Sequence, residues 1–323
     1  MTPRRRLLLA APAALATPRG ARAQDFPNRP LRVLVGFTPG GAIDIMVRAF
    51  SPRLGELLGQ PIVVENRPGA GATIATEAAV RAAPDGYTLV LGTLGTLVVN
   101  PVIQRDARYD PVADLTPVAL VADVANVLVV PAMRPWRGVQ DLIAAAKAQP
   151  NALSWGYSGV GTSGHLTAFL LDRTAGIETV SVGYRGGAPL ATDLIAGRVD
   201  YAFSTVASVL PQIQEGKLRA LAVPTARRQP WLPEVPTLDE SGLPGFVTTN
   251  WGGLLAPRGT PGAAVARIGV AMRETLRDPA TAEAFARNGL VPMIGGPEEF
   301  NALWEAERRR WDPVIRATGA RID

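Results

Sequence analysis

The chain has 323 residues, no cysteine, one histidine and a formal charge of +5. Zero cysteines remove disulfides, thiolate nucleophiles and cysteine metal sites, and a single histidine cannot build a histidine metal cluster. The charge has a local source: residues 1–23 hold five arginines and no acid, leaving 28 basic against 28 acidic residues, so no nucleic-acid partner is expected.

The N-terminus reads as an export signal over residues 1–23. Arg4-Arg5-Arg6 precede the apolar stretch Leu7 to Ala16, and Ala21-Arg22-Ala23 supplies a small-x-small cleavage site. Either the Sec or the twin-arginine route suits it, and the expected location is the periplasm. Its apolar stretch is too short to span a bilayer, and no later run is long and uninterrupted enough. The remainder can bury a sufficient core without disulfides.

Strand and helix patterns then alternate, which predicts parallel sheets covered by helices. Strand candidates are Leu31 to Phe37, Ile62 to Glu65, Thr88 to Gly92, Val127 to Val130, Leu153 to Tyr157, Thr179 to Tyr184, Tyr201 to Ser204 and Leu218 to Val223. Helical periodicity marks Asp44 to Leu58, Ile74 to Ala82, Val139 to Ala148, His165 to Arg173, Leu190 to Ala196 and Val206 to Glu215. Three more helices close the chain, at Gly262 to Leu276, Pro279 to Asn288 and Pro297 to Ala317. Val127 to Pro131 and Leu218 to Pro224 read as crossings between two α/β domains, and a cleft between such domains favours ligands. The expected division is 24–125 with 226–323 as domain 1 and 126–225 as domain 2.

Several strand-to-helix turns carry chemistry. Thr38-Pro39-Gly40-Gly41 empties the first strand into a helix start, where two glycines let backbone amides approach an anion and the helix dipole assists. Asp44, in the first turn of that helix, either complements the dipole or holds a ligand ammonium or a water. Gly159-Val160-Gly161-Thr162-Ser163-Gly164 matches G-x-G-x-x-G, yet the next strand ends in Tyr184-Arg185-Gly186-Gly187 without the ribose-binding acid. The stretch reads better as an amide-rich turn in which Thr162 and Ser163 can bond a carboxylate. Tyr184, Gly186 and Gly187 form a third such turn, and Thr93 and Thr96 offer hydroxyls after another strand.

His165 follows Gly164 directly. Gly161-Thr162-Ser163-Gly164 is not G-x-S-x-G, so His165 reads as a structural or ligand-contacting residue rather than a general base. Trp251, in Asn250-Trp251-Gly252-Gly253, lines a cleft or fills the core.

Together these blocks resemble the tripartite tricarboxylate transporter substrate-binding proteins, the Bug family of periplasmic receptors. They include Pro39-Gly40-Gly41 with Asp44, Glu65-Asn66-Arg67-Pro68-Gly69-Ala70-Gly71, Pro84-Asp85-Gly86-Tyr87-Thr88-Leu89, Gly161-Thr162-Ser163-Gly164-His165-Leu166, Tyr184-Arg185-Gly186-Gly187-Ala188-Pro189 and Pro257-Arg258-Gly259-Thr260-Pro261. The resemblance implies a type II-like periplasmic-binding-protein fold, two α/β domains hinged about an interdomain ligand cleft. It also implies a monomer that captures a small organic carboxylate, uses no cofactor or metal, and delivers its ligand to membrane transporter components. The expected ligand residues are Phe37, Thr38, Gly40, Gly41, Asp44, Thr93, Thr96, Thr162, Ser163, His165, Tyr184, Gly186, Gly187, Ser204 and Trp251.

This sequence departs from the family pattern at Thr38, Ile43, Ser204 and Pro224; Ser204, where many relatives carry aspartate, argues against an amino-acid ligand. The competing class is an exported enzyme, either a hydrolase using Ser163 with His165 or an NADP-dependent oxidoreductase using Gly159 to Gly164.

Overall fold

The computed structural model describes residues 26–104, 107–184 and 186–319. The expected export signal lies outside the described residues, as does Arg185. In chain order the elements are β1 (Leu31–Val35), α1 (Ala42–Leu58), β2 (Ile62–Asn66), α2 (Thr73–Val80), β3 (Thr88–Thr93), α3 (Asn100–Ile103), α4 (Pro111–Asp114), β4 (Leu115–Val124), β5 (Asn126–Pro131), α5 (Val139–Ala148), β6 (Ser154–Tyr157) and α6 (Ser163–Ala175). There follow β7 (Val180–Gly183), α7 (Gly187–Ile195), β8 (Tyr201–Thr205), α8 (Val206–Gln214), β9 (Leu218–Ala222), β10 (Trp251–Pro257), α9 (Gly262–Arg277), α10 (Pro279–Arg287), β11 (Leu290–Gly295) and α11 (Pro297–Thr318).

The first sheet runs β11-β4-β10-β3-β1-β2 and the second β7-β6-β8-β5-β9. The central strands β3, β4, β5 and β10 are covered on both faces and are largely apolar, whereas the edge strands β2 and β7 remain partly exposed. On β1, Leu31, Val33 and Val35 pack on α1 residues Met46, Val47 and Phe50 and α9 residue Met272, while Leu34 turns to the opposite core with Trp304 and Trp311. On β5, Leu128 and Val130 face α5 and α6, whereas Val127 and Val129 face α7 and α8. Burying each such side chain contributes roughly 1.5–3 kcal/mol.

The expectation of purely parallel sheets needs correction. Parallel pairing holds for β1 with β2 and β3 and for β6 with β7 and β8, but β10 is antiparallel to β3 and β4, β11 to β4, and β5 to β8 and β9. Strands β4, β10 and β11 escaped sequence reading because they contain Pro117, Gly252-Gly253 and Pro292, which read as breakers. The register of β4 against β10 shifts between Gly252 and Gly253 and again between Leu254 and Leu255, and Pro117 sits at the second shift. At Gly253 an added Cβ would lie 2.4 Å from Phe300 Cε1 on α11 and 2.9 Å from the Ala119 carbonyl oxygen. Glycine there lets α11 seat on the sheet.

The chain leaves the first sheet at Val124 and enters the second at Asn126; it returns as Asn250 leads into Trp251. The irregular stretch after β9 stays with the second sheet: Leu238, Leu243 and Phe246 join the core of Leu128, Trp136, Trp155 and Tyr201. Leu238 N–H donates to the Val223 carbonyl (3.0 Å) and Thr248 N–H to that of Pro224 (2.7 Å).

Gly253→Ala is expected to lower stability by about 1–3 kcal/mol through overpacking. Gly252→Ala, whose Cβ would meet Met46 Sδ at an ordinary 3.4 Å, should stay within about 0.5 kcal/mol of the parent. Urea midpoints of the two variants check this; equal losses would contradict it.

Candidate functional site

A cavity of about 280 Å³ lies between the two sheets, and residues from both line it. The turn after β1 supplies Phe37, Thr38, Gly41, Ala42 and Ile43; Gly71, Thr93, Gly95 and Asn100 complete that side. Opposite stand Ser158, Val160 to Gly164 before and at the start of α6, Gly186 and Gly187 at the start of α7, and Phe203, Thr205 and Ser208 around the start of α8. Val124, Asn126 and Asn250, at the two crossings, line it as well. None of the described lining residues carries an ionisable side chain.

What replaces charge is backbone. Helices α1, α6, α7 and α8 all begin at this cavity, and first-turn amides have no intrahelical acceptor. Gly41 caps α1 and Gly186 caps α7 without a side-chain hydrogen bond; their own N–H groups donate to the Thr38 and Ser158 carbonyls (3.2 and 3.0 Å), and the first-turn amides that follow carry no side-chain cap. Thr205 at the start of α8 also makes no cap; its hydroxyl pairs with Ser208 Oγ at 2.5 Å.

Asp44 does not line the cavity. It is buried, and its carboxylate accepts from Gly40 N–H (2.9 Å), Arg48 Nε (2.9 and 3.0 Å) and Asn66 Nδ2 (2.9 Å). Burial pushes this carboxyl up, but the hydrogen bonds from Arg48, Gly40 and Asn66 and the Arg48 charge outweigh it and hold it below the usual range. Gly40, at φ +79°, thus turns its amide to Asp44. The pair staples the turn so that Thr38, Gly41 and Ile43 face the cavity.

The second turn is built likewise. Thr162 Oγ1 donates to the Gly159 carbonyl (2.8 Å) and accepts from His165 N–H (3.4 Å), capping α6. Ser163 Oγ accepts from Asn126 Nδ2 (2.9 Å), joining the first crossing to the start of α6. Gly164 lies where a Cβ would come 2.3 Å from the Phe203 carbonyl oxygen, so α6 presses directly on β8. His165 is buried beneath the turn, accepts Gly161 N–H at Nδ1 (3.3 Å) and is held neutral by desolvation, which lowers its pKa to about 4.

Of the expected residues, the cavity brings together Phe37, Thr38, Gly41, Thr93, Thr162, Ser163, Gly186 and Gly187. Gly40, Asp44 and His165 stand behind its wall. Thr96 is buried and caps the Thr93 turn, its Oγ1 accepting Thr93 N–H (2.9 Å). The Tyr184 hydroxyl donates to Asp193 (2.9 Å), Ser204 pairs with Val127 inside the second sheet, and Trp251 is fully buried against Phe300. These four lie off the lining. Sequence reading missed Asn100, Asn126, Asn250, Thr205 and Ser208; their one available signal was position, each just beyond or beginning a strand or helix facing the cleft.

No hydrogen bond joins Ser163 to His165 among the described residues. Desolvation that lowers the His165 pKa to about 4 also makes its imidazole a poor proton acceptor at neutral pH. No described cluster of His, Asp or Glu could hold a metal, and no described helix is long and apolar enough to cross a membrane.

Two α/β sheets joined by adjacent crossings about a cavity are the architecture of periplasmic binding proteins. The chain belongs to the tripartite tricarboxylate transporter family receptors, whose pattern matches residues 46–320. It is 36% identical to the protein BugT of Bordetella pertussis over 97% of this chain and 95% of that one. Among solved structures, R. palustris Rpa4515 with adipate superposes at TM-score 0.84 with 36% identity, covering 92% of this chain and all of that one. MatC (Rpa3494) from Rhodopseudomonas palustris with bound malate superposes at 0.78 with 32% identity, over 90% of this chain and all of that one.

Asp44→Asn removes the charge that Arg48 and Gly40 engage. Because the folded pKa is depressed, the carboxylate adds stability above the ordinary carboxylate range and loses it as pH falls through the folded value. The variant should be less stable at pH 7 by about 1–2 kcal/mol, allowing for the half-exposed Arg48. It should also lose part of the parent's decline below about pH 4. Denaturant titrations at several pH values check both; parallel parent and variant curves would contradict the assignment.

Proposed function

We propose that this receptor works in the periplasm as a monomer, captures a small organic carboxylate between its lobes, and passes it to the membrane components of a tripartite tricarboxylate-type transporter without catalysis. The observation that carries this reading is the cavity itself: uncharged in its described side chains, and fed from both sheets by helix N-termini. Such a surface attracts anions through fixed dipoles and amides, and it offers no carboxylate to pair with a ligand ammonium.

We assign residues 26–125 and 251–319 to the first lobe and 126–250 to the second. The packing of Leu238, Leu243 and Phe246 supports moving the later boundary from the expected 226 to the step before Trp251. The bound adipate and malate of the two relatives support a carboxylate ligand here. Phe37, Ile43, Val124, Val160 and Phe203 give the cavity an apolar belt for the carbon skeleton. Contacts from both lobes would make the closed form the one the ligand selects.

Thermal-shift and calorimetric screening of ligand-stripped protein against mono-, di- and tricarboxylates, adipate and malate included, should find a one-to-one binder that raises the melting temperature. Silence across that panel would overturn the reading. With the binder in hand, Gly41→Val should weaken affinity at least about tenfold by blocking amide approach, and Asp44→Asn should weaken it less. The reverse order would mean that the Asp44 charge, not the backbone, holds the ligand.

A further inference from the structure

We propose that His165 is a positioning residue: its neutral imidazole holds the glycine turn before α6 in the shape that lines the cavity and meets the opposite lobe. The consequence for ligand binding rests on the receptor reading above, but the geometry does not.

Gly161 is where the turn does both jobs. It lines the cavity, and at φ +74° a Cβ on it would fall 2.9 Å from Val99 Cγ1 and 3.0 Å from Ile103 Cδ1. Val99 and Ile103 follow β3 of the first sheet, so this residue is a point of contact between the lobes. Its amide does not face the guest; it is spent on His165 Nδ1 at 3.3 Å. Thr162 secures the Gly159 end of the turn through its hydroxyl, and His165 secures the Gly161 end.

The ring cannot swing away freely. Tyr157 and Trp155, both on the strand that delivers the turn, pack on it with centroids 4.5 and 5.7 Å distant. Thr162 Oγ1 also accepts the His165 amide, tying the side chain's own backbone to the same turn. Accepting at Nδ1 places the single ring proton on Nε2.

From β6 the neighbours are the two aromatic rings and from the turn a glycine amide, and desolvation is the sole cause of the lowered pKa. Among the described residues no facing carboxylate draws a second proton onto the ring. Were one added at Nδ1, two donors would oppose each other and the clamp would open. The histidine is therefore built to stay neutral across ordinary pH rather than to sense it or to pair with a ligand anion.

One histidine in the chain gives an unambiguous test. Imidazole nitrogen spectra recorded from about pH 8 to about pH 3 should show the Nε2–H tautomer until the ring protonates near pH 4. The Gly161 amide should exchange slowly with solvent and lose protection over that same pH step. An Nδ1–H tautomer, a titration near the ordinary histidine value, or a Gly161 amide already exchanging freely at neutral pH would overturn the proposal. Two variants separate clamping from simple bulk. His165→Asn keeps an acceptor at the Nδ1 position and should retain protection without the acid step. His165→Leu fills space without an acceptor and should speed Gly161 exchange at least about tenfold at every pH; unchanged exchange would overturn the clamp. No arm needs a ligand, so a failed carboxylate screen leaves this test intact.

Discussion

Two strands cross between the sheets side by side, and the hydrogen bonds that hold them together fix everything built around the cavity. Asn250 N–H donates to Asp123 Oδ1 at 2.7 Å, and Val124 N–H donates to the Asn250 carbonyl at 3.0 Å. The outgoing and returning chains are thus one ladder at the point where the lobes part. Asp123 is buried, and burial pushes its carboxyl up to about 6; the Asn250 amide opposes that rise and the Glu307 charge adds to it. A buried carboxylate keeps its place only with a donor at hand. Two further bonds brace the return: the Thr167 and Thr248 hydroxyls pair at 3.0 Å, and Arg310 on α11 donates to the Val247 carbonyl. Val124, Asn126 and Asn250 therefore reach the cavity from a hydrogen-bonded junction between the two sheets.

Around that cavity the site follows a consistent division of labour. Ionisable side chains stand behind the wall, and glycine backbone with uncharged side chains lines the cavity. Asp44 shapes the first turn through Gly40, Arg48 and Asn66, and His165 shapes the second through Gly161. Asn126 links the second turn to the crossing through Ser163. Preorganised amides need little rearrangement on binding, so less of the interaction energy goes into ordering the site. They also suit a carboxylate of varied skeleton better than one fixed ion pair, because the apolar belt rather than a counter-charge meets the rest of the molecule.

Much of this was legible in the sequence, for identifiable reasons. The strand-turn-helix units at Gly40-Gly41, Gly161 to Ser163 and Gly186-Gly187 announced themselves through glycines ahead of helical periodicity. Strands β10 and β11 did not, since Gly252-Gly253 and Pro292 mimic turns; only the close seat of Phe300 on Gly253 explains why glycine belongs in a strand. Arg227 to Pro244 is irregular, and irregular chain carries no periodicity to reveal that its Leu238 and Leu243 enter the core beside the second sheet. Among side chains, position was readable and orientation was not. Asp44 and His165 occupy first-turn helix positions that invite a ligand role, yet their atoms turn inward. Asn126 and Asn250 carry no motif, and only the three-dimensional path brings them to the cavity.

The central claim is that both amide-rich turns close on one carboxylate. Backbone hydrogen exchange with and without a saturating carboxylate from the screen addresses it most directly. The account predicts slower exchange at residues 38–43 and 159–164 together, with lesser change over the distal helices α9 and α10. Protection confined to one turn, or centred on a surface away from the cavity, would contradict it.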